Sequence, residues 1–464
     1  MMMRQAKPAL SLLIVLSGAL SSGCISRSIR SDLHRIEQVA RVDSLDALAR
    51  HEVDPISAEE AKGILLSGAL EIEDAVRVAI LNNRELRAQL REIGIVRGEV
   101  LQAGTMPNPM AHVDVLPERD TRVSLRVEYD ITGAIVAKRR GRAGRSMIEA
   151  ERHHIAGKVL ELGYEVRTQF YRVLAAEEKL KIGIRALDAL LASRDAAAAL
   201  YESGGSAALE MKLQQAAYER ERIRVAELDL ALAHEKEALR RLLGATGEEA
   251  EFALAGSLER APAEAEAAEE IERRAIEASL ELEAMRERIT GLARNAGVLR
   301  LEGAMPRVLA DIHALIGDPR AAPGTEARDH VRVSGGFSLG VPIFDRNQGA
   351  VSAKLAELAA TTERYYGLAI DLRSYARDTE NTLRSAHRRA LHYQEIVLPA
   401  EAAVREETLL HYNAMQIGIF NLIDAHRREL DAELQYLDTL SEYWSARARV
   451  DALLAGARIT EGKQ

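Results

Sequence analysis

The stretch "LGVPIFDRNQGAVSAKL", Leu339 to Leu355, decides the fold. It begins as a strand, turns through Pro342, Asp345 and Asn347, and continues as a helix. Upstream, Val331, Val333, Phe337, Leu339, Val341 and Ile343 alternate with Arg332, Ser334, Gly336, Ser338 and Gly340. Period two puts the apolar set on one face of a strand. Downstream, Asn347 to His411 contains one proline, Pro399, where a kink is expected. About 65 residues at ~1.5 Å each make a rod of roughly 100 Å, more than a globular domain needs.

The same plan occurs earlier. "LQAGTMPNPMAHVDV" (Leu101–Val115) matches "LEGAMPRVLADIHA" (Leu301–Ala314), each with Gly-x-Met-Pro and then an extended segment. "TRVSLRVEYDIT" (Thr121–Thr132) matches the 331–344 strand, and "YESGGSAALEM" (Tyr201–Met211) matches "YNAMQIGIFNL" (Tyr412–Leu422). The pairs keep their order at offsets of 199 to 211 residues, so the chain is two copies of one unit. Each copy reads as a helix, two strands, a very long helix, a short turn and a returning helix. Leu228, Leu232, Leu239 and Leu242 give the first returning helix a packing seam.

Two strands of about eleven residues per copy suit a tilted membrane strand, apolar outward and polar inward. Four strands cannot close a barrel, and a lipid-facing edge cannot stay unpaired. Several chains must therefore share one barrel.

Composition agrees with long helices. Of 464 residues, 29% are charged and only 4% aromatic, and the net charge of −9 offers no argument for nucleic acid. After the N-terminus, no uninterrupted run of eighteen apolar residues occurs. The single cysteine, Cys24, follows a basic start at Arg4 and Lys7, an apolar run from Ala9 to Leu20, and small residues Ser21 to Gly23. This resembles a lipoprotein signal, with the lipid carried on Cys24; the alternative is a plain secretory signal.

The chain resembles the outer membrane efflux protein family, the TolC-like channels, over about Leu70 to Gly456. "EIEDAVRVAILNNRELRAQLREIGIVRGEVLQAGTMPNP" (Glu71–Pro109) looks like its opening signature, and "VLPAEAAV" (Val397–Val404) also fits. "VPIFDRNQGAVSAKLAEL" (Val341–Leu358) is similar to the strand-to-helix corner of the CzcC-like and CusC-like lipoprotein branch. "YNAMQIGIFNLIDAHRREL" (Tyr412–Leu430) looks like the tip motif, with its glycine, Gly418, two places later than usual.

The resemblance implies a mainly α fold with a transmembrane β part. A long antiparallel α-helical barrel would carry a four-stranded contribution to a trimeric twelve-stranded β-barrel. It divides the chain into a signal peptide (1–23), a tether (24–69), repeat 1 (70–246, strands about 108–131, tip about 201–209), an equatorial linker (247–270), repeat 2 (271–456, strands about 307–344, tip about 412–422) and a tail (457–464). Implied partners are two further copies, a periplasmic adaptor (membrane fusion protein), an inner-membrane transporter of the RND type, and outer-membrane lipid. The implied location is the outer membrane of a Gram-negative bacterium. The implied function is passive export of small solutes or metal cations, without catalytic residues, cofactor or bound metal.

The corner residues are Pro342, Phe344, Asp345, Arg346, Asn347, Gln348 and Gly349. Tyr201, Gly205, Leu209, Tyr412, Gly418 and Leu422 would form the adaptor-docking tip, and Asn421 and Asp424 the pore constriction. The other function considered is a lipid-anchored periplasmic coiled-coil scaffold or adaptor without a pore. The duplicated amphipathic strands favour the channel.

Four further features of the sequence have a bland reading beside a functional one. "GFSLG" (Gly336–Gly340) matches a nucleophile elbow, but Ser338 falls mid-strand. His153 and His154 are adjacent on a helix and point apart. Tyr365, Tyr366 and Trp444 are expected to pack between helices. The first-copy corner, "VEYDITGAIVAKRRGRAGRS" (Val127–Ser146), lacks Pro-x-Phe and carries Lys138, Arg139, Arg140, Arg142 and Arg145. It is either a solvated helix start or a contact with acidic lipid or an assembly partner. Positive charge is unfavourable at a helix N-terminus, so local compensation is expected.

Overall fold

The structure, a computed structural model, describes residues 30–41, 55–116, 122–205, 207–247, 251–264, 270–316 and 331–458. Cys24, the segment before it, and parts of the expected tether, linker and tail lie outside the described residues. Among the described residues four helices precede the first strands: α1 (Arg30–Ala40), α2 (Pro55–Leu66), α3 (Ile72–Asn82) and α4 (Arg84–Gly104). Strands β1 (Met110–Leu116) and β2 (Arg122–Asp130) lead into α5 (Ile131–Glu202), and α6 (Ala208–Leu243) returns. The second half repeats this as α7 (Ile271–Ala278), α8 (Leu280–Ala304), β3 (Arg307–Ile316), β4 (Val331–Gly340), α9 (Gln348–His392), α10 (Leu398–Asn413) and α11 (Ile419–Ala455).

Helix α5 runs 72 residues without a break, roughly 110 Å. It packs along α6, α8, α11 and α4, which is how so long a helix stays ordered. The expected leucine seam on α6 faces it. Leu239 is fully buried, Leu232 and Leu242 pack against the same core, and Leu228 lies over Gly183. A side chain at residue 183 would strike Leu228, so the glycine permits the close approach.

Pro399 does not break the second rod. A proline leaves the carbonyl four residues earlier without its donor and crowds it. A five-residue π turn, Tyr393–Val397, widens the helix just before Pro399, with the Leu398 amide donating to the Tyr393 carbonyl. The expected kink is thus a π turn between α9 and α10.

The largest core cluster lies where α3 meets α4, α5 and the end of α6, around Ile80, Leu81, Ile155, Val166 and Leu243. The Asn-Asn break of the opening signature has a mechanical role there. Asn83 caps α4 by accepting from the Leu86 amide at 3.0 Å. Asn82 donates to the Leu243 and Gly244 carbonyls at 3.1 and 2.7 Å, and Asn83 to the Leu242 carbonyl at 3.1 Å. These bonds satisfy carbonyls that the end of α6 leaves open.

Each returning helix ends in a left-handed glycine seated on a carbonyl at the corresponding helix break. Gly244 sits against Asn82, and Gly456 against Ala278. Beside the first break, Leu70 and Leu254 form a parallel bridge that ties the start of repeat 1 to the linker.

The strands form one antiparallel sheet in the order β1-β2-β3-β4, with β2–β3 pairing joining the two repeats. They are 7, 9, 10 and 10 residues long, shorter than expected. Strand β4 ends at Gly340, opposite Arg307, because β3 starts there, directly after Pro306. Val341 and Ile343 therefore lie beyond the ladder, although both stay exposed.

Trp444 packs between helices as expected, stacked on Tyr171 at 5.6 Å, with its indole N–H donating to the Glu259 carbonyl. Tyr365 is partly buried against a second core, and its hydroxyl accepts from Arg286. Tyr366 does not pack between helices: it is 59% exposed, with its ring edge-to-face to that of Tyr365 at 5.7 Å.

Candidate functional site

Three parts of the molecule carry functional meaning: the sheet, the corners that join it to the rods, and the two turns at the far end. In the sheet, cross-strand partners share a face. One face holds the rows Val113–Leu125–Ala314–Val333, Ala111–Val127–Ile312 and Tyr129–Ala310–Phe337. Val113, Ile312, Val333 and Phe337 are 62%, 63%, 67% and 77% exposed, so nothing among the described residues covers this face.

The opposite face is polar. His112, Arg126, His313 and Ser334 form one row, and Glu128 and Asp311 pair in the next. Ser124 donates to Asp114 at 3.1 Å on the same side. Among the described residues β1 and β4 each pair on one side only, so both edges of the sheet are open. No helix among the described residues is long and apolar enough to cross a membrane.

The second corner is a hydrogen-bonded turn. Asp345 accepts from the Asn347 amide at 2.9 Å, and Gln348 accepts from the Arg346 amide at 2.7 Å. Arg346 and Gln348 donate back to the Pro342 and Phe344 carbonyls at 3.2 and 3.0 Å. Asn347 takes a left-handed conformation, φ 59°, and its amide donates to the Leu299 carbonyl on α8 at 3.2 Å. Asparagine tolerates that conformation better than most residues. Phe344 is 90% exposed, and Gly349 lies in the first turn of α9 with open space around it.

The first corner reaches the same turn by other means. Asp130 caps α5 through the Gly133 amide and pairs with Arg307 at 3.2 Å. Thr132 donates to the Pro306 carbonyl and accepts from the Val308 amide, both at 2.9 Å. The compensation expected for the basic run is partly present. Glu302 bonds Arg140 at 2.6 Å and pushes that guanidinium above its usual range.

The two far turns are built alike. After α5 the Gly205 amide donates to the Leu200 carbonyl at 2.8 Å and the Gly204 amide to the Tyr201 carbonyl at 3.0 Å. After α10 the Gln416 amide donates to the His411 carbonyl at 3.0 Å and the Met415 amide to the Tyr412 carbonyl at 2.8 Å. The left-handed position is Gly204 (φ 72°) in the first and Met415 (φ 58°) in the second. Sequence reading missed Met415, because nothing local marks a methionine for a conformation that favours glycine.

Tyr201 is 44% exposed and Leu209 is 70% exposed, one residue into α6. Gly418 precedes the first residue of α11, whose first turns hold Asn421, Leu422 and Asp424. Asp424 is not isolated: Arg427 and Arg428 lie 3.4 and 2.9 Å from its carboxylate.

A further constellation gave no sequence signal. Asp32 on α1 is fully buried and bridges Arg97 on α4 and Arg152 on α5. Ser338 is exposed mid-strand opposite Leu309. His153 is half-buried while His154 is exposed. Among the described residues no group of three or more His, Cys, Asp or Glu is placed to hold a metal.

A sheet with one bare apolar face, open edges and a helical rod beneath it is the subunit plan of TolC-like outer-membrane channels. The chain is homologous to the cobalt-zinc-cadmium resistance protein CzcC of Cupriavidus metallidurans, with 25% identity over 394 residues, 84% of this chain and 90% of the relative. No family model matches the chain. The fold is that of CusC, a protein solved for its folding and transmembrane channel formation, at TM-score 0.67 and 15% identity over 83% of this chain and 92% of that one. It is equally that of the Campylobacter jejuni CmeC outer membrane channel, at TM-score 0.65 and 13% identity over 85% and 87% of the two chains.

Proposed function

We propose that this protein is the outer-membrane component of a tripartite efflux pump, a passive homotrimeric duct from periplasm to exterior. The observation that carries the reading is the four-stranded sheet, apolar on one face and open at both edges, on rods roughly 110 Å long. In lipid such edges have to be paired, and three copies make a closed barrel of twelve strands. The polar row of His112, Arg126, His313 and Ser334 then faces the lumen.

The far turns at Tyr201–Leu209 and Tyr412–Leu422 are the docking ends for a periplasmic adaptor, which couples the duct to an inner-membrane transporter of the RND type. Cys24 carries the lipid anchor. Five residues separate it from Arg30, a reach of about 20 Å at most. The cargo is a divalent transition-metal cation, a reading supported by the cobalt-zinc-cadmium resistance of the homologue CzcC.

The native mass of protein extracted in detergent from purified outer membranes tests the assembly. Three chains that resist dissociation are expected. A monomer would leave the sheet edges open in lipid and would sink the channel reading. Zinc tolerance restored to cells that lack their own duct, when the cognate pump is co-expressed, tests the cargo.

A further inference from the structure

The basic run of the first corner has a structural setting that the duct reading leaves unused. A groove of about 1400 Å³ lies between α1, α4 and the start of α5. Arg35, Lys138, Arg142 and Arg145 line it, all exposed and with no acidic partner among the described residues. Arg97 and Arg152 stand behind them, already paired with Asp32. Glu149, the acid on the lining, pairs with Arg152. The groove therefore keeps a surplus of about four positive charges in one concavity.

Its upper end is apolar and continuous with the bare face of the sheet. Leu101 and Met106 line it, 38% and 60% exposed. The Tyr129 hydroxyl donates to the Met106 sulfur at 3.8 Å, and Tyr129 belongs to the apolar rows that continue through Ala310 and Phe337. Gly104 and Gly141 face each other across the groove so closely that a Cβ on residue 104 would lie 3.0 Å from the Gly141 Cα. Side chains on these two glycines would fill the notch between α4 and α5.

We propose that this groove is a binding site for an anionic phospholipid. The phosphate sits among Arg35, Lys138, Arg142 and Arg145, and the acyl chains run past Met106 and Tyr129 onto the apolar face of the sheet. The inference rests on the outer-membrane reading, since that places the groove at the headgroup level of the inner leaflet. A free phosphate would satisfy the cations but leave the apolar upper end unfilled. A lipid satisfies both. Each cationic side chain near an anionic headgroup strengthens binding by a factor of roughly five. Removing two should weaken it roughly twenty- to thirtyfold.

The test is native mass spectrometry of the delipidated full-length protein in detergent. It is titrated with dioleoylphosphatidylglycerol, with dioleoylphosphatidylcholine, and with phosphatidylglycerol in the presence of excess inorganic phosphate. The expected result is up to three phosphatidylglycerols retained per trimer, little retention of phosphatidylcholine, and little displacement by phosphate. Arg142→Ala with Arg145→Ala should lose retention roughly twenty- to thirtyfold. Arg364→Ala with Arg388→Ala, exposed on α9 away from the groove, should not. If the groove variant fails to assemble, Arg35→Ala with Lys138→Ala and the headgroup preference of the unaltered protein decide the matter.

Equal retention of the two lipids, or equal loss in groove and control variants, overturns the proposal. Displacement by inorganic phosphate reassigns the site to a free anion, and a co-purifying protein lost with the groove variant reassigns it to an assembly partner. A stable trimer without lipid preference removes this inference alone, whereas a monomer removes the channel reading beneath it.

Discussion

Gly303, at the end of α8, lies directly under the backbone of Arg346, so that a Cβ at residue 303 would collide with the Arg346 carbonyl oxygen. That contact is how the second strand-to-helix corner docks on the rod beside it. No rotamer change relieves a clash with backbone. Gly303→Ala should therefore displace the Arg346–Gln348 turn at a cost of about 3 kcal/mol, the upper range for single substitutions. The trimer should melt several degrees lower. Gly104→Ala, whose Cβ would meet Gly141 at 3.0 Å, should cost less, because two helices can separate slightly. Thermal dissociation of both variants, followed on a semi-native gel, orders the two; an unchanged Gly303→Ala trimer would refute the docking role.

Asp32 links α1 to the rods through Arg97 on α4 and Arg152 on α5. It is fully buried, while Arg97 and Arg152 are each 14% exposed. Burial of an ion pair is tolerated when every charge is matched, and removal of one partner leaves the others uncompensated, at about 3–5 kcal/mol. Asp32→Asn should free α1 rather than unfold the rods, since α5 keeps its contacts with α4, α6, α8 and α11. Hydrogen exchange at 30–40 should accelerate at least a hundredfold, with exchange in the middle of α5 unchanged. Equal acceleration in both would contradict a local clamp.

The contrast between Asp32 and the corners marks how much of the molecule the sequence reveals. Strands and duplication are legible because period-two alternation and Gly-x-Met-Pro are local patterns, and local sterics produce them. The role of Gly104 and Gly303 within that motif is less so, since the backbone each glycine admits lies 37 and 43 residues further along the chain. The partners of Asp32 stand 65 and 120 residues away, with no pattern to join them. Strand β4 reads too long because the alternation continues through Val341 and Ile343, while the ladder ends where its partner begins. Pro399 is visible as a disruption, but not the π turn that absorbs it.

Glu221 on α6 gives the rods a pH dependence. Its side chain is buried, one carboxylate oxygen has no hydrogen-bond partner, and Arg224 approaches only to 3.8 Å while bonding Asp431. Burial raises its pKa above the ordinary glutamate value, and Asp431 adds to the rise. A carboxyl that holds its proton more tightly when folded stabilises the fold below its unfolded pKa. That contribution is lost as pH rises through the folded value. The melting temperature should therefore fall from mildly acid to neutral pH, and Glu221→Gln should flatten the dependence and add on the order of 1 kcal/mol at neutral pH. A variant with the same slope as the parent would assign the dependence to another group; Glu165, also raised by burial, is the next to replace.

Met415 occupies the position that Gly204 holds in the first turn, with φ 58° and 94% exposure. A side chain in the left-handed region costs about 1 kcal/mol or more, and here burial returns nothing. Met415→Gly should slow exchange of the Gln416 amide, which donates to His411, by roughly three- to fivefold. Faster exchange would mean that the glycine's added freedom outweighs the relieved strain.

Asp424 is the acid proposed here for a cation-selecting ring, yet each copy brings its own counterions. Arg427 and Arg428 lie one helical turn further along, at i+3 and i+4, and reach its two oxygens at 3.4 and 2.9 Å. An acid so paired presents little net field to a passing ion, and exposed pairs of this kind are weak enough to be removed without harm to the helix. Arg427→Ala with Arg428→Ala should uncover three carboxylates in the proposed trimer and change its net charge by −6. The reversal potential of the reconstituted pore in a potassium chloride gradient should move toward the potassium potential. Asp424→Asn in that background should return it. If the arginine variant leaves the potential where it was, Asp424 does not face the pathway, and the narrowest part of the duct lies elsewhere along the rods.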